Sequence, residues 1–142
     1  MFIRKRGRTK FMWLPVTTST ALSKGALVAY SSGYLIAATS TTAPSTIAGV
    51  LRHAIAATDS DYATARLVEV EVPVENNVEW EADVTSGLVA ADVGLYCDLT
   101  DSVTVNRGAS SYDVVQCVGV ISTTKGRFIL NIGVSGCGVI GA

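Results

Sequence analysis

Chemistry in this chain would have to come from one histidine, three cysteines and an unevenly distributed set of charges. His53 has no serine or cysteine in a recognisable nucleophile motif around it, and Cys97, Cys117 or Cys137 could act as a nucleophile only with that same imidazole as base. The cysteines stand twenty residues apart with no C-x-x-C pair, the pattern of small buried side chains in a reducing compartment. No Walker loop, G-x-G-x-x-G, H-E-x-x-H or EF-hand loop occurs. The residues therefore predict a protein that is not an enzyme and that uses no cofactor and no metal.

The charges are more informative. Met1 to Trp13 carries Arg4, Lys5, Arg6, Arg8 and Lys10 with no acid, so that segment is +5 and the remaining chain −6, which the overall −1 conceals. A short basic segment leading into the helix-hostile run Pro15-Val16-Thr17-Thr18 cannot bury a core of its own and is expected to order on an anionic surface. Phe2, Phe11 and Trp13 are interleaved with the cations, the composition that phosphate contacts and base stacking would use. The rest of the chain offers no groove of Lys and Arg, which argues against nucleic acid. The basic run precedes an apolar stretch, Phe11 to Val16, that is too short for a signal peptide and is broken by Pro15. No apolar run approaches the roughly 18 residues of a membrane span.

The elements that would position these residues are strands. With 142 residues the chain makes one domain, and Val, Ile and Thr together outnumber Leu, Lys, Glu and Gln. We read a basic N-terminal arm over 1–13, a β domain over 14–132 and a Gly-rich tail over 133–142. Ala26 to Tyr30 and Tyr34 to Ala37 flank Ser31-Ser32-Gly33 as a hairpin. Thr39 to Thr46 is a surface loop, Ile47 to Val50 a strand, and Ala54 to Thr64 fits a helical turn or a loop equally well. The second half repeats this order weakly: Gly94 to Asp98 and Val103 to Val105 mirror the first hairpin, Val118-Gly119-Val120 mirrors Ala48-Gly49-Val50, and Arg127 to Leu130 mirrors Arg66 to Glu69. Two copies are too few for a solenoid and suit a small β-barrel or β-sandwich of two related β-motifs.

Leu67 to Thr85 is the strongest local pattern. Val68, Val70, Val72 and Val74 alternate with Glu69, Glu71, Pro73 and Glu75, and Asn76-Asn77 then turns the chain into Val78-Glu79-Trp80-Glu81-Ala82-Asp83-Val84. In a hairpin, a two-residue loop would mix the faces, whereas a three-residue loop sets Val74 on Val78, Val72 on Trp80, Val70 on Ala82 and Val68 on Val84; one-sided burial selects the latter. The opposite face then gathers Glu69, Glu71, Glu79, Glu81 and Asp83, and like charges opposite one another need cations from salt, a metal or a basic strand of another chain. In an extended arm Arg4, Arg6, Arg8 and Lys10 share one face at the same period, so the arm is expected to dock on an acidic surface of another molecule, either this stripe on a neighbouring copy or an equivalent patch of a partner protein, with Phe2, Phe11 and Trp13 as anchors. A carbohydrate site built on Trp80 is disfavoured, because Glu79 and Glu81 face away from that ring.

Leu22 to Val28, Gly33-Tyr34-Leu35, Ala48-Gly49-Val50, Val68 to Val72, Val93 to Asp98 and Cys117 to Val120 together resemble the small β-rich decoration (cement) proteins of tailed-bacteriophage heads. The resemblance spans Leu22 to Ile132 and is a cadence of glycines and valines. It implies a structural virion protein, made in the host cytoplasm, that adds to the capsid surface, often as a homotrimer, and clamps neighbouring major capsid protein subunits. The competing reading is a small viral coat protein whose basic arm faces the genome.

Overall fold

A computed structural model describes residues 1–131; the Gly-rich tail 133–142, Cys137 and the last residue of the expected β domain lie outside the described residues. The chain is all-β. Its strands are β1 (Ile3–Arg6), β2 (Thr9–Pro15), β3 (Leu27–Ser31), β4 (Tyr34–Ala37), β5 (Ile47–Leu51), β6 (Leu67–Pro73), β7 (Glu79–Val84), β8 (Tyr96–Asp101), β9 (Thr104–Asn106), β10 (Val115–Ser122) and β11 (Lys125–Leu130). Two single 3₁₀ turns, Pro44–Thr46 and Ala90–Asp92, accompany them among the described residues. The segment 54–64, open between helix and loop from sequence, is a series of turns. No helix among the described residues is long and apolar enough to cross a membrane.

The strands form two sheets, ordered β2-β6-β5-β3-β4 and β1-β7-β11-β10-β8-β9. Setting β1 aside, the second order repeats the first five strands later. The hydrogen bonds repeat with it. Gly25 donates to the Leu51 carbonyl (2.8 Å) as Gly94 donates to that of Cys117 (2.7 Å), and both glycines have positive φ, a conformation costly for residues with a Cβ. Leu51 lies opposite Val70 and Val70 opposite Met12; likewise Cys117 lies opposite Phe128 and Phe128 opposite Trp80. A parallel β7–β9 pairing at Asp83–Thr104 and Val84–Val105 closes the second five strands into a barrel. The first five are joined at the matching place by one parallel bridge, Val16–Leu35. The residue matching Asp83 there is Pro15, which has no N–H to extend the ladder.

These pairings confirm two related motifs but shift their alignment. Leu51 matches Cys117 and Val70 matches Phe128, so Gly49 corresponds to Val115 rather than Gly119, and Arg127 to Glu69 rather than Arg66. Unequal loops cause the shift: the link from β5 to β6 runs over Arg52–Arg66, whereas β10 and β11 are separated by Thr123 and Thr124 alone.

The hairpin expected over Leu67 to Thr85 does not form. β6 pairs with β2 and β5, β7 pairs with β1, β11 and β9, and Asn76-Asn77 carries the chain from one motif to the next. The alternation is nonetheless real. Val68, Val70 and Val72 fill the first core with Val16, Leu22, Val28 and Leu35. Val78, Trp80, Ala82 and Val84 fill the second with Phe128, Leu99 and Cys117, against Leu27, Ala29, Ile47 and Val50 on the other face of β3 and β5. Val74, expected inside opposite Val78, is exposed, and Glu71, expected outside, is buried. Period-two patterning fixes which residues share a face; it does not choose the neighbouring strand.

Candidate docking face

The basic segment is woven into both sheets rather than extending from the body. Gly7, at φ 94°, bends the chain between β1 and β2, and a Cβ there would sit 2.8 Å from Val78 Cα. The bend breaks the single face expected for Arg4, Arg6, Arg8 and Lys10. β1 pairs antiparallel with β7, Ile3 opposite Glu81 and Arg4 opposite Trp80, while β2 pairs with β6 from Thr9–Pro73 to Pro15–Leu67.

The acidic stripe is consequently divided between the sheets and met by the chain's own cations. Arg4 Nε lies 2.7 Å from Glu71, Lys5 Nζ 3.8 Å from Glu81, Arg6 3.5 Å from Glu79 and Arg8 3.5 Å from Glu75. Asp83 receives the Met1 ammonium at 3.0 Å and Lys125 at 3.9 Å, and Arg127 reaches Glu79 at 3.9 Å. The cations expected from salt, a metal or a strand of another chain come instead from β1 of the same chain. Glu71 is its centre: its carboxylate accepts from Arg4 Nε and from the Thr9 hydroxyl, both at 2.7 Å, and ties β1 and β2 to β6.

The aromatic anchors divide. Phe2 is buried in the second core, which removes it from any docking surface. Phe11 and Trp13 face out from β2 with Leu67 of β6 beside them, 50, 61 and 59 % exposed respectively. Met12 and Leu14 point the other way, into the first core. The Arg52 guanidinium covers part of the Phe11 ring at 4.7 Å, a cation–π contact, and approaches Glu69 at 3.6 Å. His53 is exposed, its Nε2 3.7 Å from Glu69 Oε1. Trp13, His53, Ile55, Arg66 and Leu67 rim a shallow hollow of about 210 Å³. Lys10 has no ion pair among the described residues. Sequence reading missed Arg52 and Leu67, which join the aromatics only through the β2–β6 and β5–β6 registers and have no local signal.

The other two buried carboxylates, Asp92 and Asp98, hold loops. Asp92 receives Arg107 through Nε at 2.9 Å and Nη2 at 3.2 Å and the Val89 N–H at 2.9 Å; the guanidinium bonds and then the backbone donor hold its carboxyl below the usual range. Asp98 accepts three successive backbone N–H groups, Ser111, Tyr112 and Asp113, at 2.7–2.9 Å. Arg66 similarly clamps Asp59 and Asp61. Cys97 and Cys117 are free thiols buried in the second core; burial pushes Cys97 up to about 11 and raises Cys117 as well. No cluster of three or more potential metal-ligating side chains occurs among the described residues. Neither the protein-family models nor the curated proteins include a match to this chain.

Proposed function

We propose that this chain is a capsid decoration protein of the tailed-phage cement type, docking on a lattice built by the major capsid protein and stabilising the head from outside. The observation that carries the reading is the outward row Phe11, Trp13 and Leu67, presented on a strand of a doubled β body. Large aromatic side chains left in water on a regular strand face supply contact area at little conformational cost, as interfaces require. A body of one closed five-strand barrel and a matching second sheet, tied by β1 and Glu71, is a stiff spacer suited to resist shear between subunits. The glycine and valine cadence that resembles cement proteins falls on β3 to β6, β8 and β10 and on the turns that lead into them.

The coat-protein alternative needs cations free for phosphate. Arg4, Lys5, Arg6 and Arg8 each lie within 4 Å of a carboxylate of their own chain, which lowers their value as phosphate ligands. Incubation of the purified chain with preformed heads lacking it tests the reading. Saturable co-sedimentation, lost in a Phe11→Ser/Trp13→Ser double variant, is expected; closed shells assembled by the chain alone would refute it.

A further inference from the structure

The internal duplication exposes an asymmetry at one strand edge. On β7, the N-terminal half of the edge is occupied by β1 and the C-terminal half by β9. On the matching strand β2, the C-terminal end meets β4 at Val16–Leu35, and the half containing Thr9, Phe11 and Trp13 has no strand beside it among the described residues. Since Met12 matches Trp80, Trp13 matches Glu81, the residue that Ile3 faces in the filled position.

The backbone parity agrees. Val16 donates to the Arg66 carbonyl at 3.0 Å and Val74 to that of Arg8 at 3.1 Å, so the even-numbered residues of this stretch exchange bonds with β6. The N–H and C=O groups of Thr9, Phe11 and Trp13 therefore point to the open side, and Pro15 ends the row. An open row of this kind is a template for strand addition.

We infer that the β2 edge is a strand-addition site for an extended segment of a partner polypeptide that runs antiparallel to β2. Its chemistry follows from the edge. Residues opposite Phe11 and Trp13 share their face and are apolar or β-branched; residues opposite Lys10 and Arg8 are carboxylates. The filled position uses the converse arrangement, a basic strand on acidic neighbours, with Arg4, Lys5 and Arg6 meeting Glu71, Glu81 and Glu79. At β2 the acids nearby, Glu69 and Glu71, already face Arg52 and Arg4, whereas Lys10 has no carboxylate partner among the described residues and Arg8 is 81 % exposed in a 3.5 Å pair, so charge complementarity selects an acidic segment.

The probe is the peptide acetyl-Thr-Val-Thr-Val-Glu-Thr-Glu-amide, with a counterpart in which lysine replaces both glutamates, titrated into the full chain while amide exchange is followed by NMR. The acidic peptide should slow exchange at Thr9, Phe11 and Trp13, and the lysine peptide should bind at least about tenfold more weakly. Phe11→Pro removes a donor that faces the open side and leaves the β6 ladder intact, so it should abolish protection in a protein whose Trp80 near-UV signal is native, whereas Phe11→Ala should only weaken it. Equal binding of the two peptides, no protection at these amides, or unchanged binding by Phe11→Pro would overturn the proposal. So would self-association that Phe11→Pro dissolves, which would assign the edge to a second copy, or protection already present in the free chain and lost on deleting residues 132–142. No head is involved in this titration, so its failure and that of the cement reading are separable.

Discussion

Replacing Glu71 with Ala should destabilise the protein more than replacing any other acid of the stripe. The carboxylate is buried and accepts two 2.7 Å bonds, from Arg4 and from Thr9. Hydrogen bonds to a charged group contribute about 1.5–3 kcal/mol each when desolvated. The Arg4 side chain is 42 % exposed and regains water when its partner is removed, so its share falls to about 1 kcal/mol or less. Together these give a loss of about 2–3 kcal/mol for Glu71→Ala. Glu71→Gln should lose about half of this, since its amide oxygen still accepts from Thr9. Glu79→Ala, whose pairs with Arg6 and Arg127 are 3.5 and 3.9 Å long, should cost no more than about 1 kcal/mol. Urea unfolding of the three variants reads the difference as a midpoint shift of about 1 M for Glu71→Ala at the usual slope. Equal midpoints for Glu71→Ala and Glu79→Ala would refute the assignment of Glu71 as the tie between β1, β2 and β6.

Trp80→Ala should cost about 3–5 kcal/mol, because the ring is fully buried opposite Phe128; a loss below about 1 kcal/mol in the same assay would contradict that packing. Alkaline pH should weaken the fold between pH 9, the ordinary thiol value, and about 11, the folded value of Cys97: a raised thiol contributes stability below the first value that is lost on passing the second. Tyr30, also raised by burial, adds in the same direction, and Cys97→Ala should flatten the curve. Asp92, held low first by Arg107, contributes stability above its ordinary value of 3.8 that is lost as pH falls, so Asp92→Asn should flatten the acid limb of the same titration. His53→Ala should leave the urea midpoint nearly unchanged, since the imidazole is exposed and its 3.7 Å contact with Glu69 is worth no more than about 1 kcal/mol; a larger loss would contradict this.

The all-β class, the two related motifs and the buried faces of β6 and β7 were legible because valine alternation and turn residues are local signals. Ser31 pairs with Tyr34 across a tight turn at Ser32-Gly33, as the hairpin signal required. Pairing beyond neighbours was not legible. Nothing in Val68 to Val72 states that β2, more than fifty residues earlier, is its partner and β7 is not. For the same reason Glu71 looked solvated and Phe2 looked free: the charge split pointed to an anionic surface on another molecule, whereas the carboxylates that meet Arg4, Lys5, Arg6 and Arg8 are on their own chain. Of the anchors, Phe11 and Trp13 remain outward; Arg52 and Leu67, which complete their face, come from strands that only the register brings alongside.

A cryo-microscopy reconstruction of heads carrying the chain tests the central claim most directly. Density for the doubled β body is expected on the outer surface, with Phe11, Trp13 and the β2 edge against the major capsid protein. A continuous shell made of this chain itself, or Arg4, Lys5, Arg6 and Arg8 lying along packaged nucleic acid, would contradict it.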